Sequence, residues 1–191
     1  QARAGGLLKG DIAKLKLAAS MYILCQGLPF VYYGEELGMK SGAVDSSKRT
    51  PLPWGTGNEE TSWASEKDCI YNRETLPVAD QEKDKTSLLN FYRRLIKFRN
   101  SRPSFVEGKF KAYPARELSS DVSSISCWTM ESLDEISLVL NNLGSKPVPL
   151  NLGKNWDRAK IVFSSEGKIP LVKNGKVDLP AKCTVVFLQG K

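Results

Sequence analysis

No histidine occurs anywhere in these 191 residues, so neither Ser-His-Asp nor Cys-His machinery can be assembled from this chain alone. Cysteine is sparse as well. Cys25, Cys69, Cys127 and Cys183 lie far apart without any Cys-x-x-Cys spacing, and with no histidine a zinc site would need all four thiols from distant segments. No metal and no other cofactor is expected. Cys25, Cys127 and Cys183 sit inside apolar stretches and read as buried free thiols rather than disulfide partners. Long apolar runs are missing too. The best candidate, 15–31, is broken by Lys16, Ser20, Gln26, Gly27 and Pro29, so no membrane span is expected. The opening Gln-Ala-Arg-Ala-Gly-Gly has neither Met nor the charged-then-apolar layout of a signal peptide. It reads as the middle of something longer.

Charge is plentiful but not concentrated. The net charge is +7, yet the longest basic clusters are the pairs Lys48-Arg49 and Arg93-Arg94, with Asp and Glu scattered among them. That distribution is a solvated surface, and it predicts no nucleic-acid partner. With 41% hydrophobic and 26% charged residues, the chain has the composition of a protein with a packed core.

Periodicity divides the chain into styles. Asp11 follows the Gly10 breaker as an N-cap, and Ile12, Leu15, Ala19, Tyr22 and Ile23 recur at helical spacing, predicting a helix to about Cys25. Phe30-Val31-Tyr32-Tyr33, halted by Gly34, is continuously apolar and predicts a strand buried on both faces, as in a parallel sheet. Residues 40–83 are rich in Ser, Gly, Pro, Asn, Asp and Glu without sustained periodicity, a loop long enough to suggest function. A second helix is predicted over 86–100, with Leu88, Leu89, Tyr92, Leu95, Ile96 and Arg99 along one side, ended by Ser101-Arg102-Pro103. Beyond about residue 105 the pattern turns to β. Short apolar runs at 110–113, 124–130, 136–143, 148–152, 160–164 and 184–189 are separated by turn signals that include Asn-Gly-Lys. They predict a small antiparallel sandwich.

Three segments in order carry a resemblance. They are Gly27-Leu28-Pro29-Phe30-Val31-Tyr32-Tyr33-Gly34-Glu35-Glu36-Leu37-Gly38-Met39, then Arg49-Thr50-Pro51-Leu52-Pro53-Trp54, then Asp80-Gln81 with 87–99. They resemble the eighth barrel strand, a substrate-side loop and the final barrel helix of the α-amylase family, glycoside hydrolase family 13. Leu52 stands where that family usually has Met, and Ser62 where Pro usually precedes the tryptophan at 63.

The resemblance implies a fold class of an α/β barrel remnant, the last β/α unit of a TIM barrel, followed by an all-β antiparallel sandwich. The implied domains are 1–103 and 104–191. It implies a retaining hydrolase of α-glucosidic linkages, whose partner is an α-linked glucose oligosaccharide or polysaccharide. Gln1-Ala2-Arg3 resembles the residues directly after the family's Asn-His-Asp motif, so the reacting carboxylates are expected upstream and this chain is expected to be inactive by itself. Arg49 and Gln1 are the implied substrate contacts, with Glu36 and Tyr33 supporting the site.

Physical reading of the residues adds to this. Neighbouring strand residues face opposite ways, so Glu35 and Glu36 cannot both face one sugar ring. Arginine can hold two hydroxyls in one fork, which favours Arg49 as a contact. Trp54 and Trp63 are expected to pack the loop, and Arg3 to sit at a loose chain end. An incomplete barrel would expose an edge at Phe30–Tyr33 and invite association. Two other functions stay open. One is a non-catalytic amylase-like partner-binding protein. The other is a carbohydrate-binding module, against which Tyr113, Trp128 and Trp156 form no obvious flat row.

Overall fold

The structure is a computed structural model, and it describes residues 1–55, 61 and 63–191. Ser62, where the family usually has Pro, lies outside the described residues. The order of elements is α1 (Ala4–Leu7), α2 (Ile12–Ile23), α3 (Glu66–Cys69), α4 (Val78–Lys83), α5 (Leu88–Asn100) and α6 (Pro103–Val106). Among the described residues eight strands follow: β1 (Lys109–Ala112), β2 (Ile125–Glu131), β3 (Glu135–Asn142), β4 (Val148–Asn151), β5 (Lys160–Ser164), β6 (Val172–Lys173), β7 (Lys176–Leu179) and β8 (Cys183–Gly190). Two compact units divide the chain, Gln1–Lys16 with Phe30–Arg94, and Leu17–Pro29 with Leu95–Lys191.

Both predicted helices form. The Asp11 carboxylate accepts the Lys14 backbone N–H at 3.2 Å, satisfying one of the donors left open at a helix start. Ahead of α5, Ser87 Oγ accepts the Asn90 N–H at 3.2 Å. Phe91 rather than Ile96 completes the buried stripe of α5. Pro103 stops that helix and begins α6 at its first turn, where a missing N–H costs nothing.

The predicted strand at Phe30–Tyr33 does not form. Residues 29–32 are irregular, Tyr33 and Gly34 turn, and Glu35–Leu37 is one turn of 3₁₀ helix. A buried parallel strand is held by ladders on both sides, and among the described residues none is offered to this segment. Phe30 is 84% exposed. The strand-based separation of Glu35 from Glu36 is corrected accordingly: successive residues of a 3₁₀ turn diverge by about 120°. Gly34 and Gly38 flank that turn at φ 81° and 77°. A Cβ at Gly34 would collide with the Met39 side chain, so both the fold-back and the packing demand glycine.

In the second unit, β1-β2-β3-β8-β5 make an antiparallel sheet and β4-β7-β6 a smaller one. One apolar cluster takes residues from both, including Leu138 and Leu140 of β3, Leu150 of β4, Leu179 of β7, and Val185 and Phe187 of β8. The β6–β7 hairpin was not expected as strands. Its turn is the Asn-Gly pair, Asn174 and Gly175, both at positive φ, the conformation a two-residue hairpin requires. All four cysteines are free, with Cys183 buried and the others half-buried. Burial pushes the Cys127 thiol up to about 11. No helix among the described residues is long and apolar enough to cross a membrane, and none of their His, Cys, Asp or Glu groups is placed to hold a metal ion.

Candidate functional site

The first unit closes around Arg3. The residue is only 4% exposed, which corrects the expectation of a loose chain end. Its Nε and Nη2 donate to the Lys48 carbonyl at 3.0 and 2.6 Å, and its Nη1 donates to the Tyr33 carbonyl at 2.6 Å. The guanidinium also lies 4.5 Å from the Tyr32 ring centre and 4.7 Å from that of Tyr33. A planar fork flanked by two rings holds three chain segments at once, which a lysine could not do.

Tyr33 carries the network onward. Its hydroxyl donates to the carbonyl of the buried Thr50 at 2.9 Å. Thr50 Oγ1 accepts from Asn72 Nδ2 at 3.1 Å, and Asn72 brackets the Lys40 backbone through both ends of its amide. The base of the long loop is thus tied by side chains bonding main chain, as irregular backbone requires. Burial pushes the Tyr33 phenol above its usual range, against the opposing Arg3 charge.

Beside this hub is a cleft of about 280 Å³ lined by Gln1, Arg3, Tyr32, Glu35, Asp45 and Arg49. Gln1 and Arg49, the two expected contacts, are brought together here. Arg49 is exposed and ion-paired with Asp45. Arg3 is buried with three of its N–H groups on carbonyls, whereas the Arg49 side chain is exposed at the cleft. Glu35 faces the cleft, its carboxyl raised by burial, with the Arg3 charge and an Ala4 backbone hydrogen bond opposing. Glu36 does not line the cleft; its Oε2 is buried with no hydrogen-bond partner among the described residues.

The expectation of packed tryptophans is overturned. Trp54 and Trp63 stand exposed, at 44% and 65%, because the described loop around them is mostly polar and irregular and offers little apolar surface to bury against. Asp45 and Arg3 are the residues the sequence reading undervalued. Neither belongs to a periodic pattern, and their roles arise only when residues 1–3, 32–35 and 45–49 converge.

Residues 1–108 match the family model for the alpha amylase catalytic domain. The chain belongs to the alpha-amylase family. It is 35% identical over 154 residues to the Alpha-amylase SusG of Bacteroides thetaiotaomicron, covering 78% of this chain and 22% of that protein. Alpha-amylase 3 of Dictyoglomus thermophilum is 28% identical over 194 residues, covering 97% of this chain and 36% of that protein. Among solved structures, an alpha-amylase from H. orenii superposes with a TM-score of 0.81 at 33% identity, over 100% of this chain and 38% of that one. The chain thus spans between about a fifth and two fifths of the length of these family members.

Proposed function

We propose that this chain is the C-terminal part of a retaining α-amylase-family hydrolase acting on α-glucosidic linkages of α-glucans or oligosaccharides. Its reacting carboxylates would come from residues outside the chain. The assigned domains are the end of the catalytic barrel over 1–103 and an antiparallel sandwich over 104–191. The strands among the described residues all begin after Gly108, which supports that division, although 17–29 and 95–103 cluster with the strands.

The observation that carries the reading is the cleft that gathers Gln1, Glu35 and Arg49 beside the Arg3 hub. In this reading Arg49 forks onto two sugar hydroxyls, Asp45 holds it in place, and Gln1 adds an amide donor and acceptor. Glu36 and Tyr33 support the site. Tyr33 fixes the loop base through Thr50, and the buried, unpaired Glu36 Oε2 offers a charge or hydrogen-bond partner to a neighbouring segment. The parent's chemistry would be a double displacement through a glycosyl-enzyme, one carboxylate attacking and another alternating as acid and base.

Maltotriose hydrolysis monitored by proton NMR is the test. The longer protein containing this sequence releases the α-anomer first, and this chain alone releases nothing above the blank. Turnover by the chain alone, or first release of the β-anomer, overturns the reading.

A further inference from the structure

The five-stranded sheet changes character along one face. Leu138 and Leu140 of β3 and Val185 and Phe187 of β8 lie fully buried in the apolar cluster. Farther along the same face the positions become polar. Thr129 sits opposite Leu138, and Glu131, Ile136 and Gln189 stand in register across β2, β3 and β8. Here the packed core gives way to a cleft of about 420 Å³, within the size range of small-molecule sites.

One wall of this cleft is aromatic and fixed. Trp156 is buried, and its Nε1 donates to the Tyr113 hydroxyl at 3.2 Å, with the two rings edge-on at 68° and 6.0 Å between centres. Tyr113 is half-buried, leaving part of its ring to the cleft. Polar groups face it. Thr129 Oγ1 donates to Glu131 Oε1 at 3.0 Å, which orients that carboxylate. Gln189 also lines the cleft; its Oε1 is buried with no partner among the described residues, so turning that amide toward the cleft to meet an O–H donor would satisfy it.

The chemistry of the lining selects the ligand. A flat ring offers an apolar platform, while a carboxylate and amides bind hydroxyls in both senses. The charged lining groups are Lys111, Glu117 and Glu131, one more acid than base, which disfavours phosphates and carboxylates. A neutral ring bearing several hydroxyls fits both the platform and the acceptors.

We propose that this cleft is a second carbohydrate-binding site, taking a neutral pyranose ring of an α-glucan and sharing no residue with the cleft of Gln1 and Arg49. The choice of a glucosyl ring rests on the hydrolase reading; the preference for a neutral polyhydroxyl ring does not. Such a site holds a polymer on the enzyme without cleaving it and raises the local concentration of chain ends.

The experiment is an amide chemical-shift titration of this chain with maltotriose. The expected shifts centre on 111–113, 129–131, 155–156 and Gln189. Tyr113→Ala weakens binding there about tenfold. Because Tyr113 also receives the Trp156 hydrogen bond, Glu131→Gln provides a variant of unchanged shape, with a loss of about threefold. Shifts confined to the residues around Gln1 and Arg49 overturn the second site and leave the hydrolase reading standing. No shifts at the Tyr113 cleft, or unchanged binding in both folded variants, overturn it as well. Failure of the longer protein to hydrolyse maltotriose bears on the hydrolase reading alone.

Discussion

The two compact units are held together by different means. The unit containing β1 to β8 takes the familiar route: strand ladders satisfy the backbone, and alternate residues bury an apolar cluster around Leu140, Leu179 and Phe187. The unit built from 1–16 and 30–94 contains much irregular chain and a smaller cluster at Leu37, Met39 and Leu89. Its backbone groups are met by side chains instead. Arg3 ties Tyr33 to Lys48, Asn72 ties Lys40 to Thr50, and Gln81 ties Leu37 and Leu76 to Leu89. A region that gives its main chain to a long irregular loop cannot run ladders through it, so a few polar hubs carry what strands carry elsewhere.

If that contrast is right, an apolar truncation should hurt the β unit most. Phe187→Ala removes a fully buried ring from the centre of β8. The expected cost is about 3–5 kcal/mol, transfer and cavity terms together. Chemical denaturation monitored by circular dichroism checks it. A loss below about 1 kcal/mol would mean that the ladders, not the cluster, hold this unit.

In the other unit the matching change is Arg3→Ala, which strips donors from the Lys48 and Tyr33 carbonyls and removes the cation from two rings. A local cost of about 2–3 kcal/mol is expected from lost charge-assisted bonds and orphaned carbonyls. Hydrogen exchange would show it as faster amides over 1–8 and 46–50, with the β strands unaffected. Arg3→Lys should recover less than half, because an ammonium cannot serve both carbonyls in the plane of one fork. Full recovery would reduce Arg3 to a simple counter-charge.

The same contrast explains what the sequence could reveal. α2 and α5 are legible because a 3.6-residue period survives in their apolar positions. Phe91 is easily passed over beside Ile96 because both lie near the edge of that stripe. Most strands are legible from short β-branched runs. β6 and β7 are not: Val172 and Lys173 are both exposed, and Lys176-Val177-Asp178-Leu179 has only two apolar residues in alternation. The Asn-Gly turn between them is visible, but not its flanks. Phe30–Tyr33 misleads in the opposite direction, since a continuous apolar run reports a wish for neighbours rather than their presence. Of the candidate site, the proposal of Arg49 and Gln1 as contacts comes from family resemblance, and the structure shows only that both line one cleft. The Tyr113 cleft is not, because strand register brings together residues separated by some eighty positions.

The smallest effect tests how closely the polar hub controls its neighbours. Glu35 lies in the cleft with its carboxyl raised by burial and partly restrained by Arg3. A carboxyl whose folded pKa exceeds its unfolded one binds protons more tightly in the folded state. Its contribution is therefore fully present below the unfolded pKa and lost as pH climbs through the folded one. Glu35→Gln should leave stability unchanged or slightly higher at pH 7, and should remove a shallow decline with pH just above the ordinary carboxylate range. Thermal unfolding of the parent and variant from pH 4 to 7 would resolve the two slopes. In the Arg3→Ala background the decline should steepen and move to higher pH, because the charge that favours ionised Glu35 is gone. A slope indifferent to Arg3 would show that the hub fixes the backbone of this unit without governing the electrostatics of its cleft.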